Sequence, residues 1–386
     1  AHIADRAYDA KNRRRAEQEY LEIIKIDQTN ARAHLRLARI YLKQGKMQDA
    51  QKYLNPGMGL GKPDADILEE FARAFREQSK PREAMAAYRK VIELAPRREE
   101  AYLELAALQR NQGLHEAAGD TYRKLYELDN DRYRGRLAEA GELYEKADKP
   151  GKAVSAYETF LSKGYKSEDV SVARAALAYE DKEYGKVVSL LEGVKGKAGS
   201  SGNVLMMLAH SYFETGNYAK ALSPLASLRT VEPDNARAVE LSALAYERVE
   251  SPAQACTMYE KYLSMPEGEK NKDYAFRAGQ LYEARKMEKE AVERYRKNMA
   301  LFPGDLRNHK RLVTLYLAGD NHKEALSVLE KAVEVEGAPS ELREKAVAVR
   351  RRIADEYFDA KQWQSAEREY RILEQATPRD RTVLLR

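Results

Sequence analysis

The stretch from residue 65 to residue 98 contains two consecutive runs with the apolar spacing of amphipathic helices. The first run places apolar side chains at i, i+3, i+4 and i+7 along one helix face, at Leu68, Phe71, Ala72 and Phe75. Pro81 then suits the first turn of a second helix, where its missing N–H is not needed. The apolar face of that helix consists of Ala84, Tyr88, Val91 and Ile92. Two helices this short enclose no core of their own, so the pattern predicts that each pair packs on a neighbouring pair.

A small residue recurs at nearly constant spacing in the second helix of each predicted pair. The recurring residues are Ala16, Ala50, Ala84, Ala118, Ala153, Val187, Ala221, Ala255, Ala291, Ala325 and Ala366. Successive spacings lie between 34 and 36 residues, except for the last, which is 41. Two helices that repeat every 34 residues are typical of tetratricopeptide repeats.

The chain resembles the tetratricopeptide-repeat family over essentially its full length. The resemblance rests on a phased set of residues and not on any single one of them. Residues 202–235 carry nearly the whole family pattern, as Leu205, Leu208, Ala209, Tyr212, Gly216, Tyr218, Ala221, Leu225 and Pro233. The resemblance implies an all-α fold, a right-handed superhelical solenoid of stacked helix-turn-helix repeats.

The repeats are expected to form two arrays. The N-terminal array, 1–192, comprises a truncated first unit and units at 31–64, 65–98, 99–132, 134–167 and 168–199. The C-terminal array, 203–386, comprises units at 202–235, 236–269, 272–305, 306–339 and 347–380. The glycine-rich segment 193–202 between the arrays has two interpretations, a hinge or a long turn after a shortened helix.

Other segments depart from the regular period. Glycines and prolines in 55–63 predict a loop in place of the end of a second helix, without the spacing of a phosphate-binding loop. Residues 340–346, which account for the longer last spacing, predict a lengthened helix. Neither end of the chain carries the polar cap that a solenoid requires. We therefore expect further chain or another subunit to cover both ends.

Composition restricts the classes of partner. The net charge of +5 arises from 67 basic and 62 acidic residues that are interleaved along the chain, so we do not expect nucleic acid as a partner. No apolar run approaches the 18 or so residues that a membrane-spanning helix needs, so we expect no direct membrane span. The single cysteine, Cys256, excludes an internal disulfide.

The sequence contains no recognisable catalytic or metal-binding constellation. None of the six histidines lies in an HExxH motif or pairs with Cys256, and His34 and His309 fall at a bulky packing position of their units. We therefore predict a protein that is not an enzyme and uses no cofactor and no metal.

The family resemblance implies that the first helices of successive units line a concave groove. Near the N-terminus, groove positions are basic and form what we name the cationic strip: Arg39, Lys43, Arg73, Arg76 and Arg110. In the middle of the chain they form what we name the central patch: Tyr179, Met206, His210, Phe213 and Leu244. An exposed apolar and aromatic patch with a charged rim is what docking of a peptide or helix requires.

The resemblance therefore implies a scaffold that binds a partner protein or peptide segment in its groove and helps assemble a multiprotein complex. Two alternatives stay open. The chain could be the periplasmic arm of a larger bacterial envelope export or assembly protein. It could also be the substrate-recruiting part of an enzyme whose catalytic domain lies outside this sequence.

Overall fold

The computed structural model describes residues 12–60 and 64–376, and every regular element within these ranges is an α-helix. The first ten helices are α1 (Arg13–Ile26), α2 (Ala31–Lys43), α3 (Met47–Leu60), α4 (Ala65–Glu77), α5 (Pro81–Leu94), α6 (Glu99–Asn111), α7 (His115–Leu128), α8 (Arg134–Lys146), α9 (Pro150–Ser162) and α10 (Glu168–Glu180). The others are α11 (Tyr184–Leu191), α12 (Gly196–Gly199), α13 (Gly202–Glu214), α14 (Tyr218–Val231), α15 (Ala236–Arg248), α16 (Pro252–Leu263), α17 (Lys272–Ala284), α18 (Glu288–Leu301), α19 (Leu306–Ala318), α20 (His322–Glu334), α21 (Ser340–Asp359) and α22 (Trp363–Ala376).

Recurring local features set the helix ends. The side chains of Asn30, Asn235 and Asn271 each accept a hydrogen bond from the backbone N–H three residues ahead and so cap the first helix of their units. Between the two helices of each of the ten units, one residue adopts a left-handed backbone conformation. It is glycine in three units and another residue in seven: Gly45, Ser79, Gly113, Asp148, Lys182, Gly216, Glu250, Lys286, Asp320 and Lys361. This conformation ends the first helix and directs the chain back along it.

The predicted helix pairs and their packing are confirmed. Consecutive helices such as α2 and α3, α4 and α5, and α13 and α14 pack against each other. The recurring small residues lie at these contacts and are fully buried, except that Ala366 is 2% exposed. Because these residues are small, the two helices of a pair can pack closely. Each repeat has one such residue at this contact, so the spacing in the sequence matches the spacing of the helix pairs.

Contacts divide the chain into two units, with the boundary between Leu177 and Ala178. In the first unit, buried apolar side chains form clusters that extend over 35–108 and 102–170. In the second, clusters connect α13 to α15, α15 to α17 and α18 to α21. The segment 193–202 contains α12 and short turns. Its role as a hinge between 1–192 and 203–386 stays a prediction.

The expected loop at 55–63 is wrong up to residue 60, because α3 continues through Pro56 and Gly57 to Leu60. Gly57 is buried, and a Cβ atom there would lie 3.0 Å from the side chain of Leu35. The lack of a side chain lets α3 approach α2 closely, and this packing offsets the hydrogen bond that Pro56 cannot donate.

The lengthened helix expected at 340–346 is confirmed, because α21 begins at Ser340 and runs for 20 residues. Residues 61–63 lie outside the described part of the chain. So do 1–11 and 377–386, which include the two ends expected to lack caps.

Candidate functional site

Three helices contribute the central patch, and all five of its residues lie in the second unit. Tyr179 lies near the end of α10, Met206, His210 and Phe213 follow one face of α13, and Leu244 lies on α15. All five side chains are half-buried. The patch is therefore less exposed than the docking surface that the sequence suggests. Met206 and Phe213 pack against the cluster of α13 to α15, and Leu244 packs against the cluster of α15 to α17.

A hydrogen bond joins the two polar members of the central patch. The Tyr179 hydroxyl lies 2.7 Å from Nδ1 of His210, and Nε2 of His210 lies 3.3 Å from a carboxylate oxygen of Glu214. Burial lowers the pKa of His210 and raises that of Tyr179. A neutral imidazole satisfies all three groups, because its Nδ1 accepts a hydrogen bond from the Tyr179 hydroxyl and its Nε2–H donates to Glu214. These contacts hold both aromatic rings in one orientation.

A second set of contacts involves two aromatic residues that were not predicted as members of the central patch. Tyr184, at the start of α11, lies with its ring 5.5 Å from that of His210 and 6.0 Å from that of Tyr179. Tyr218, at the start of α14, lies 5.1 Å from the ring of Phe213 in an edge-to-face arrangement. Each pair joins the last turn of a first helix to the first turn of the next helix. They fix the orientation of Tyr179 and Phe213.

The same pairing occurs a third time, near the end of the described chain. Phe358 and Trp363 have ring centroids 5.2 Å apart, and Trp363 is 57% exposed. In all three pairs the two aromatic residues are five positions apart across the turn between helices. That spacing is the signal which could have revealed the pairs, but it belongs to no helix period and is not apparent in a search for helix faces.

The cationic strip lies on first helices of the first unit, and its arginines are largely paired with glutamates. Arg39 binds Glu70 through Nε at 2.7 Å and through a second nitrogen. Arg76 binds Glu104.

Arg73 binds Glu69 at 2.6 Å and Glu100 at 3.2 Å. Glu69 is only 4% exposed, and Arg98 also binds it, at 3.2 Å. Arg110 and Lys43 are both exposed. Acidic neighbours therefore neutralise much of the positive charge expected along this strip.

Among residues 12–60 and 64–376, no three His, Cys, Asp or Glu side chains come together as metal ligands would. In the same ranges, none of the helices combines the length and the apolar composition that crossing a bilayer requires.

Comparison with known proteins identifies the repeat. Residues 7–67, 70–133 and 206–271 match family profiles described as tetratricopeptide repeat. Human general transcription factor 3C polypeptide 3 is 26% identical over 167 residues, which are 42% of this chain and 19% of that protein. The chain thus spans about a fifth of the length of this curated relative.

Several solved structures resemble the chain. The structure of Naa15/Naa10 bound to HypK-THB matches with a TM-score of 0.44 and 13% identity, over 92% of this chain and 65% of that chain. The TPR2AB domain of yeast Sti1 in its pHSP90 complex matches with a TM-score of 0.37 and 17% identity, over 66% of this chain and 97% of that chain. MamA from AMB-1 matches with a TM-score of 0.37 and 24% identity, over 46% of this chain and 96% of that chain.

Proposed function

Because the chain belongs to the tetratricopeptide-repeat family, we propose that it is a non-enzymatic scaffold which binds an apolar segment of a partner protein at the central patch. The family membership supports a protein-interaction role in general. We assign that role to the central patch and infer that binding there helps assemble a multiprotein complex.

The observation that carries this assignment is the set of half-buried aromatic and apolar side chains on α10, α13 and α15. Tyrosine and other large side chains at the centre of an interface provide most of its affinity. The Tyr179–His210 hydrogen bond and the edge-to-face contact of Phe213 with Tyr218 already hold these rings in place. Because they lose little conformational freedom on binding, more of the contact energy is available for affinity.

For the cationic strip we propose a smaller contribution. A partner carboxylate that binds Arg39 or Arg73 must displace the glutamates that these arginines already bind. Paired charges of this kind influence the orientation and the association rate of a partner more than its affinity. The strip therefore serves as the matched comparison for the central patch.

The proposal is tested by measuring the affinity for a partner that wild-type protein captures from its native source and that is then identified. A variant with Tyr179→Ala and Phe213→Ala should raise the dissociation constant at least about thirtyfold, since two truncated anchors cost about 2 kcal/mol or more. A variant with Arg39→Ala and Arg73→Ala should raise it less than about fivefold. Far-UV circular dichroism checks that both variants keep their helices.

The proposal is wrong if the aromatic variant remains helical and binds the partner as tightly as wild type does. If only the arginine variant loses affinity, the cationic strip is the main site. In that case the central patch serves packing alone.

A further inference from the structure

A second candidate site lies in the first of the two contact-defined units, which ends at Leu177. One repeat there lacks an aromatic side chain that most repeats contain. The eleventh residue of a unit is aromatic in eight of the ten units: Tyr41, Phe75, Tyr144, Tyr212, Tyr246, Tyr282, Tyr316 and Tyr357. In unit 99–132 this position is Gln109, and in unit 168–199 it is Ala178.

Where the ring is present, it lies between the second helices of consecutive units. Tyr144 donates a hydrogen bond of 2.9 Å to Asp120 on α7, and Nζ of Lys152 on α9 lies 5.3 Å from its ring centroid. Tyr316 lies beneath the guanidinium of Arg296, which is 5.6 Å from its ring centroid. The slot therefore favours an aromatic ring with cationic groups beside it.

In unit 99–132 the smaller Gln109 side chain leaves a cavity of about 380 Å³ between α5, α6 and α7. Ile92, Tyr102 and Leu105 provide apolar walls. Gln109 is 3% exposed, and its amide oxygen accepts a 2.8 Å hydrogen bond from the hydroxyl of Thr121. The volume of the cavity lies within the range of ligand pockets in proteins.

Arg89 lies at the edge of this cavity and corresponds to Arg296 in the occupied slot. Both are the twenty-fifth residue of the unit that precedes the slot. In the occupied slot the guanidinium lies over the ring of Tyr316. At the cavity the equivalent arginine lines a space in which Gln109 stands at the position of that tyrosine. The cavity thus retains the cation that accompanies the ring elsewhere.

The charges around the cavity favour an anionic ligand. The two acidic lining residues are already paired, Asp120 with Lys152 at 2.9 Å and Glu93 with Lys90 at 2.6 Å. The two basic lining residues, Arg89 and Lys124, are exposed and have no carboxylate partner within the described residues. The net unsatisfied charge at the opening is therefore positive.

We propose that this cavity binds a tyrosine or phenylalanine side chain of a partner protein, in a segment with aspartate or glutamate next to the aromatic residue. The ring enters the slot that Gln109 leaves vacant and stacks against Arg89. The flanking carboxylates bind Arg89 and Lys124 at the rim. This site is separate from the central patch and does not depend on it.

A fluorescently labelled peptide with a tyrosine between two aspartates serves as the probe, and fluorescence anisotropy reports its binding to the whole chain. We expect it to bind at least about tenfold tighter than the same peptide with leucine in place of tyrosine, and to weaken as salt rises. Gln109→Tyr should abolish binding, since the chain then fills the slot itself. The Tyr179→Ala, Phe213→Ala variant should bind the probe as wild type does.

The proposal is overturned if Gln109→Tyr folds and binds the probe unchanged, or if the leucine peptide binds equally well. It is also overturned if free 4-hydroxyphenylacetate binds as tightly as the peptide, which would make the ligand a small aromatic acid. If Gln109→Tyr fails to fold, the double variant Arg89→Ala, Lys124→Ala tests the proposal in its place. Both side chains are exposed, so their truncation leaves the core packing intact. The double variant should raise the dissociation constant of the probe at least about tenfold. An unchanged dissociation constant rejects the site.

Discussion

Repeats in 65–132 and in 236–339 connect consecutive units through the same two positions but with opposite charges. In the first region Arg76, the twelfth residue of its unit, binds Glu104, the sixth residue of the next. In the second region the twelfth residues are Glu247 and Glu283, and they bind the sixth residues of the following units, Arg277 and Arg311.

The position of the acidic residue in this pair decides whether a nearby buried tyrosine hydroxyl has a hydrogen-bond acceptor. In 236–339, the hydroxyl of buried Tyr259 donates a 2.8 Å hydrogen bond to Glu247, and Tyr295 donates to Glu283. In 65–132 an arginine takes the place of the glutamate, and the buried hydroxyl of Tyr88 has no hydrogen-bond partner among the residues that the structure describes. Burial raises the pKa of Tyr88 to about 12.

The comparison shows that at these three links the helices bring the two positions within reach of a salt bridge, and that either position can carry either sign. Placing the acid on the first helix adds a second role, since the carboxylate also accepts from the tyrosine. The repeats in 236–339 therefore have a better satisfied interior at this link than those in 65–132.

The largest effect should come from the small buried residues, where the two regions do not differ. Ala118 and Ala325 are both fully buried. Replacing either by leucine should overpack the helix pair and lower the free energy of unfolding by about 1–3 kcal/mol. Urea denaturation followed by circular dichroism measures this. A loss in only one region would show that the repeats do not share one packing rule.

Removing the charged side chain at the twelfth position should destabilise the two regions by different amounts. Glu247→Ala leaves Tyr259 and Arg277 without their acceptor and should cost about 1–3 kcal/mol of stability. Arg76→Ala leaves only Glu104, which is partly exposed to water, and should cost less than about 1 kcal/mol. Equal losses on urea denaturation would contradict the second role given to Glu247.

A charge exchange should give the first region the arrangement of the second. The double change Arg76→Glu with Glu104→Arg places a carboxylate next to Tyr88 and should stabilise the chain by about 0.5–1.5 kcal/mol. The same exchange in a Tyr88→Phe background is the control and should bring no gain. If the gain persists without the hydroxyl, the tyrosine is not its source.

The smallest effect concerns the turn between the helices, which is alike in both regions. Ser79 and Glu250 each adopt a left-handed backbone with φ of 56°. Glycine avoids the steric cost of this conformation but loses more entropy on folding. Ser79→Gly and Glu250→Gly should therefore each raise the unfolding free energy by no more than about 1 kcal/mol, as measured by thermal denaturation. Destabilisation of both would indicate that their side chains contribute to the turn.

The sequence was sufficient for the features that depend on a repeating period. The buried alanines, the helix pairs and the long helix α21 follow from spacing, because packing of identical units imposes the same spacing on each. Contacts made by a single repeat were not predictable in this way. Pairing of Arg39 with Glu70 depends on side-chain reach between units, and the continuation of α3 through Pro56 depends on how closely α2 approaches.

The residues of the candidate site were proposed from the sequence, whereas the contacts among them were not predictable from it. Tyr179, His210 and Phe213 were expected from their groove positions. Their partners Tyr184 and Tyr218 lie on the second helices, five residues further along, and become neighbours only when the turn has folded.

Hydrogen–deuterium exchange of the chain with and without its purified partner tests the binding assignment most directly. The account predicts slower exchange on binding in 202–214 and 236–248, which form α13 and α15, and unchanged exchange in 65–77, which forms α4. Protection confined to 65–111, with none in α13 or α15, would contradict it and transfer the binding role to the cationic strip.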